Sequence, residues 1–180
     1  FTILVVGGSQ GAQALNKAVV ELVEFFKQHD IALIHQTGSE QLEQIRQTYC
    51  AHEYRSAEVM SFIDNIANFY ERAHLVICRA GALTVAEVAR TARPAVFVPL
   101  PIAGGHQADN VAELRGLGLA LVVEQSPRLS QDLACVLEPL ISEPQKLAQI
   151  AQGLEDYGHR AGGDAAKVIA HELVEIATHV

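Results

Sequence analysis

The chain has 180 residues, of which 49% are hydrophobic, and it carries a formal net charge of −8 at pH 7. That length supports one domain burying roughly 70% of its unfolded surface. The charge excludes a nucleic-acid binder, which needs a basic patch to release counterions, and it keeps this surface off an anionic membrane leaflet. A small anionic ligand stays open, because local dipoles can oppose the global field. Trp is absent and aromatics make up 6%, so the core must be built from Val, Leu, Ile and Ala. That composition suits a parallel sheet covered by helices on both faces. Three cysteines, Cys50, Cys78 and Cys135, without a C-x-x-C spacing predict a reducing compartment and buried or half-buried thiols. No signal peptide and no apolar run of transmembrane length is evident. Phe1 opens directly inside an apolar run, so the chain is expected to be a piece of something larger.

In chain order, "FTILVV" (1–6) predicts a buried strand. Residues 12–28 predict a helix with Leu15, Val19, Leu22, Val23 and Phe26 on one stripe. "IALIHQ" (31–36) is the second strand, and 39–49 a polar helix with Thr37 and Glu40 at capping-box spacing. A short strand is expected within 53–59, then a helix over 63–72 with Ile66, Phe69 and Tyr70 facing in. "HLVICRAG" (74–81) is a strand ending in Gly, followed by a helix over 83–91. "AVFVPLP" (95–101) is a strand closed by prolines. A loop at 102–105 leads into a helix over 106–117 that stops at Gly118. "LALVVE" (119–124) is the sixth strand. Helices are expected over 130–141, 144–157 (capped by Ser142) and 164–179. Six strands alternating with helices predict a doubly wound, six-stranded parallel sheet of α/β, Rossmann-like class. Such sheets bind ligands at the carboxyl ends of their strands. Three strand-to-helix turns therefore become candidates.

The first is "VVGGSQGAQALN" (5–16). Its glycines permit close backbone approach, the following helix offers free N–H groups, and Ser9 adds a hydroxyl; a phosphate is the natural guest. The spacing is neither G-x-G-x-x-G nor a P-loop. Strand two ends in His35 and Gln36, where an NAD site wants an acid. A tight structural turn is the alternative.

The second is "CRAGALTVAE" (78–87). Thr84 and Glu87 fit a T-x-x-E capping box, which would account for both structurally. The functional reading places the Glu87 carboxylate in the cleft, accepting hydrogen bonds from two neighbouring sugar hydroxyls. The N–H groups from Ala82 to Val85 would then meet a phosphate. In the third, "PLPIAGGHQADN" (99–110), Gln107 and Asn110 share a helix face, and amides that donate and accept suit sugar hydroxyls. A polar, solvated helix start is the alternative, and His106 reads as a surface residue.

Taken together, "VVGGSQGAQALN", "SFIDNIANFYERAHLVICRAGALTVAEVA" and "PAVFVPLPIAGGHQADNVAEL" resemble the C-terminal half of the MurG family of GT-B glycosyltransferases, over nearly the whole chain. The resemblance implies one half of a GT-B fold. It further implies an inverting, UDP-GlcNAc-dependent hexosyltransferase of peptidoglycan synthesis, moving GlcNAc onto the C4 hydroxyl of MurNAc in lipid I to give lipid II. The ligand would be UDP-GlcNAc, with no cofactor and no metal. Residues 1–180 would form the donor-binding domain. The helix at 163–180 would pack on a missing N-terminal half holding lipid I, the general base and the membrane contact. The whole protein would sit peripherally on the cytoplasmic face of the bacterial inner membrane.

Residue by residue, the resemblance puts Ser9 on a phosphate and the main chain of Ile63 on the uracil edge. It puts Ala82, Leu83, Thr84, Val85 and Ala86 at the nucleotide-contacting helix start, and Glu87 on the ribose hydroxyls. Gln107 would orient the GlcNAc beside Asn110. Arg79 fits the family's "CR" pair, with binding and packing both open. Gly104 and Gly105 stand where many relatives carry a charged residue before "HQ". A UDP-GlcNAc 2-epimerase of the same layout, a non-catalytic nucleotide-binding module and a dehydrogenase are the competing readings.

Overall fold

The computed structural model describes residues 1–7, 12–101 and 106–159, apart from the His106 side chain. The six strands are β1 (Thr2–Val6), β2 (Ala32–Gln36), β3 (Ala57–Met60), β4 (Leu75–Cys78), β5 (Ala95–Phe97) and β6 (Leu121–Val122). All pair in parallel, in the order β3-β2-β1-β4-β5-β6. The direction of winding reverses between β1 and β4, which opens a crevice above their carboxyl ends.

The helices are α1 (Gln13–Glu21), α2 (Val23–Gln28), α3 (Leu42–Ala51), α4 (Ile66–Arg72), α5 (Ala82–Thr91), α6 (His106–Gly116), α7 (Leu129–Ser142) and α8 over 144–159. Strand residues alternate between two cores, as the two-residue period of a strand requires. Ile3, Val5, Leu75, Ile77 and Val96 pack under α1, α2, α3 and α7. Leu4, Val76, Cys78, Ala95 and Phe97 pack under α4, α5 and α6. Helix α8 crosses between the layers: Leu147 joins the first core and Leu154 the second.

The stripe expected over 12–28 is buried throughout, but the helix is interrupted at Leu22, whose N–H bonds Val19 O in a tighter turn. Three expected caps do not form. The Thr37 hydroxyl donates to Gly38 O and Met60 O, and α3 begins at Leu42 without a side-chain cap. Ser142 donates to Glu138 O inside its own helix. Helix α5 starts from Gly81 with no side-chain cap, so Thr84 and Glu87 do not make a box. Strands β5 and β6 are shorter than expected; Pro99 and Pro101 carry no N–H to continue the ladder beyond Val98. Of the thiols only Cys78 is buried; Cys50 and Cys135 are exposed, on polar faces of α3 and α7, against the expectation of burial.

At the amino edge of the sheet, α2, α3, α5 and α6 each turn into the next strand through a residue with positive φ: Asp30, Glu53, Ala92 and Gly118. In each, the following N–H reaches back to the fifth residue before it, as Leu119 does to Leu114 O at 2.8 Å. This is the Schellman geometry that satisfies the last helical carbonyls. On the outer strand β3, the Arg46 guanidinium donates to Val59 O at 2.9 Å. The helix expected at 163–180 lies outside the described residues.

Candidate functional site

The site is built where β1, β4 and β5 end. A Cβ on Gly7 would stand 2.9 Å from Ala12 N and 3.4 Å from Gln36 O, so only glycine lets the chain turn this tightly into α1. Ser9 lies outside the described residues. Helix α1 begins at Ala12 without a side-chain cap, so its first N–H groups keep no partner from the cap position.

The second turn leaves β4 through Arg79, Ala80 and Gly81. Val85 N already bonds Gly81 O at 2.9 Å. Among the described residues, the donors left without a partner are therefore those of Ala82, Leu83 and Thr84, and Val85 drops out of the expected set of open N–H groups. Ala82, Leu83 and Ala86 are exposed, Leu83 at 78%, while Val85 is buried in the second core. Glu87 stands in the middle of α5, half-buried, and its Oε2 accepts a hydrogen bond from Tyr70 Oη at 3.1 Å.

The third turn closes back on the second. Leu100 N donates to Gln107 Oε1 at 2.9 Å, and Asn110 Nδ2 donates to Ala80 O at 2.9 Å. Among the described residues, each amide keeps its other end open: Gln107 the NH2, a donor, and Asn110 the carbonyl, an acceptor. Together they offer a sugar hydroxyl both functions it needs. Nothing is described of the His106 side chain. Arg79 packs. Its Nη1 donates to Val98 O at 3.0 Å and its Nη2 to Gln125 Oε1 at 2.7 Å, bracing the exit of β5.

On the other side of the crevice, Ile63 buries its side chain between β3 and α4. Its main-chain N–H and C=O bond no other described residue. Thr37 N and Gly38 N hold the preceding residues through Met60 O and Ser61 O. Phe62, Leu83 and Leu100, three exposed large apolar side chains, all lie in these strand-exit segments.

The end of β2 is polar and buried. His35 Nε2 lies 3.1 Å from Asn16 Oδ1, and its Nδ1 lies 2.8 Å from Tyr49 Oη. Asn16 Nδ2 donates to Thr37 O and Gln41 Oε1, which fixes its oxygen toward the imidazole and makes Nε2 the protonated nitrogen. Burial holds His35 neutral, its pKa lowered to about 3. The neighbouring Gln36 finds no partner for its buried Oε1 among the described residues. The strand ends in His35 and Gln36, where an NAD site wants an acid for the ribose.

A groove of about 840 Å³ runs between α5, α6 and α8. Ala82, Val85, Ala86 and Asn110 line its upper part, but Ala89, Ala92, Leu154 and Tyr157 carry it down the helix layer, away from Ile63, Glu87 and Gln107. It adjoins the crevice without being the crevice. Among the described residues, no cluster of His, Cys, Asp or Glu could hold a metal ion.

Sequence reasoning missed Tyr70 and Gln125 as partners of polar site residues. Tyr70 was legible only as an inward-facing aromatic, and nothing in the local pattern marks Gln125.

The glycosyltransferase family 28 C-terminal domain matches residues 2–164. Among curated relatives, a UDP-N-acetylglucosamine--N-acetylmuramyl-(pentapeptide) pyrophosphoryl-undecaprenol N-acetylglucosamine transferase of Nitratidesulfovibrio vulgaris is 38% identical over 97% of this chain and 47% of its own length. The enzyme of the same name from Haemophilus ducreyi is 37% identical over 98% of this chain and 48% of its own. The chain thus spans about half the length of the curated relatives it matches. Among solved structures, Acinetobacter baumannii MurG superposes with a TM-score of 0.76 at 36% identity, over 87% of this chain and 47% of that one. A UDP-GlcNAc 2-epimerase from Neisseria meningitidis shares the fold, with a TM-score of 0.67 at 13% identity over 97% of this chain and 44% of that one. With six parallel strands in this order and a family match across nearly its whole length, the chain belongs to the glycosyltransferase family 28 C-terminal domain family.

Proposed function

We propose that this chain is the donor-binding half of an inverting glycosyltransferase that takes GlcNAc from UDP-GlcNAc. The observation that carries the reading is the start of α5. It presents unpaired N–H groups at the β1/β4 crevice, and a carboxylate is held one and a half turns further along. The N–H groups of Ala82, Leu83 and Thr84 suit a pyrophosphate, since a helix start combines open donors with the positive end of the dipole. Ser9 adds a hydroxyl from the first turn. Glu87 suits the ribose diol, because an ionised carboxylate accepts from two hydroxyls at once. The free N–H and C=O of Ile63 suit the imide edge of uracil. The open amide ends of Gln107 and Asn110 suit the GlcNAc hydroxyls and acetamide.

In the full-length protein the acceptor is lipid I, the product lipid II, and the second half supplies the acceptor site and the catalytic base. Closure of two halves on the donor is what brings the reacting atoms into line. This chain alone therefore binds the donor weakly and turns nothing over. The protein works peripherally on the cytoplasmic face of the inner membrane, with membrane contact through the other half. Among the described residues no helix is long and apolar enough to cross a membrane.

Isothermal titration with UDP, UDP-GlcNAc and UDP-GalNAc tests the reading. Binding of UDP, with UDP-GlcNAc preferred to UDP-GalNAc, is the expected result. Silence toward all three at millimolar concentration refutes it.

A further inference from the structure

We infer that Tyr70 is a positioning residue for the nucleotide's ribose: its hydroxyl fixes the Glu87 carboxylate and, through α4, ties that carboxylate to the loop at Ile63. The inference rests on the donor-site reading above and adds to it a residue that touches no ligand. Tyr70 is 1% exposed and its Oη donates to Glu87 Oε2 at 3.1 Å. Burial pushes the phenol well above its ordinary range, so it remains a donor at every pH at which the protein is handled.

A glutamate on a helix surface has three side-chain torsions to order when it meets a ligand. Here one of its acceptor positions is already engaged, and about three of the four lone-pair directions of the carboxylate stay open, enough for a vicinal diol. Tyr70 thus sets where the carboxylate waits before any ribose arrives. The connection to the base side is equally short. Helix α4 follows Ile63 after two residues, and Ile63, Tyr70, Val85 and Val88 share one buried cluster. A displacement of the loop at Ile63 is carried by α4 to Tyr70, and by the hydrogen bond to Glu87. Base and pentose are then read by one unit rather than by two independent contacts.

The test is a titration of the 180-residue chain with UDP and with 2′-deoxy-UDP. The wild-type chain should prefer UDP by about tenfold, the range for one hydrogen bond to a charged acceptor. Tyr70→Phe should weaken UDP about three- to tenfold, weaken 2′-deoxy-UDP less, and so shrink the preference. In a Glu87→Ala background, Tyr70→Phe should change neither constant further, since coupled residues lose their interaction once. An unchanged preference in Tyr70→Phe overturns the proposal, as does an equal loss in the Glu87→Ala background. Wild-type binding of UDP with no preference over the deoxy compound overturns it and leaves the donor site standing. No binding of either nucleotide overturns both. If Tyr70→Phe does not fold, 3-fluorotyrosine at position 70 keeps the shape and donates more strongly. The preference should then rise, and a preference equal to wild type overturns the proposal.

Discussion

The two edges of the sheet are finished in opposite ways. At the amino edge, α2, α3, α5 and α6 all close on a left-handed residue, and the next N–H returns to the helix. The carbonyls of Phe26, Tyr49, Val88 and Leu114 there are paired within the chain. At the carboxyl edge, α1, α3, α4, α5 and α7 begin without a side-chain cap. Phe62, Leu83 and Leu100 stand exposed there, and the buried Gln36 Oε1 has no partner among the described residues. A side-chain cap contributes about 1 kcal/mol, so forgoing one at these starts has a cost in stability, offset at α7 by Ser126, whose Oγ and O accept from Arg128 N and Leu129 N. The difference teaches where this fold keeps its unspent hydrogen-bonding capacity. One edge closes on itself, and the other carries the open groups on which the proposed donor site rests.

The sharpest way to break that contrast is acid, through His35 beneath the carboxyl edge. Unfolded, His35 takes a proton with a pKa near 6.5; folded, it refuses one until about 3. Between those values the unfolded chain binds more protons, so stability falls as pH falls. The loss is about 1.4 kcal/mol per pH unit, starting near pH 6.5. Urea titrations at pH 7 and pH 5 should show it, and His35→Gln should flatten the slope. An equally steep slope in that variant counts against the network as the cause.

Next comes Glu87→Ala, expected to weaken UDP binding by about 1–3 kcal/mol while folding stability changes by less than about 1 kcal/mol. Affinity spared and stability lost would mean that the carboxylate serves the fold. Gln36→Met removes the unpartnered buried carbonyl. It should raise stability by about 1 kcal/mol in chemical denaturation, because burying a polar atom without a partner costs that much or more. The smallest effect belongs to the closed edge. Ala92 sits at φ 51°, where a Cβ is strained, so Ala92→Gly should add about 0.5 kcal/mol. A loss in thermal midpoint would show that the closed edge is already optimal.

Much of the architecture was legible because period and length agree in this chain. Apolar runs of strand length alternate with helical stripes, and Leu15, Val19, Leu22, Val23 and Phe26 all face the core that the stripe predicts. The glycine at position 7 was legible for the same kind of reason: no other residue fits beside Ala12. The caps were not legible. Thr37, Ser142 and the Thr84/Glu87 pair all have the right spacing, yet other contacts outbid the caps; Ser142 bonds back to Glu138 O in its own helix. Thr37 is drawn to the end of β3, and Glu87 to Tyr70. The second role of Tyr70 was hidden because an inward-facing aromatic explains its own burial. Only the distance from Oη to Glu87 shows that its polar end has work as well. Arg79 was open between binding and packing, and its two carbonyl-side contacts place it in the frame of the third turn.

The guanidinium of Arg46 on Val59 O has a bearing on whether any of this can be measured. An outer strand offers its vacant ladder positions to the next molecule, and long flat ones seed fibrils. Here an acceptor on a four-residue rim is already occupied by the bulky Arg46 guanidinium, which stands in the way of a second copy approaching sideways. A chain so guarded should tolerate the high concentrations that detecting a feeble nucleotide complex demands.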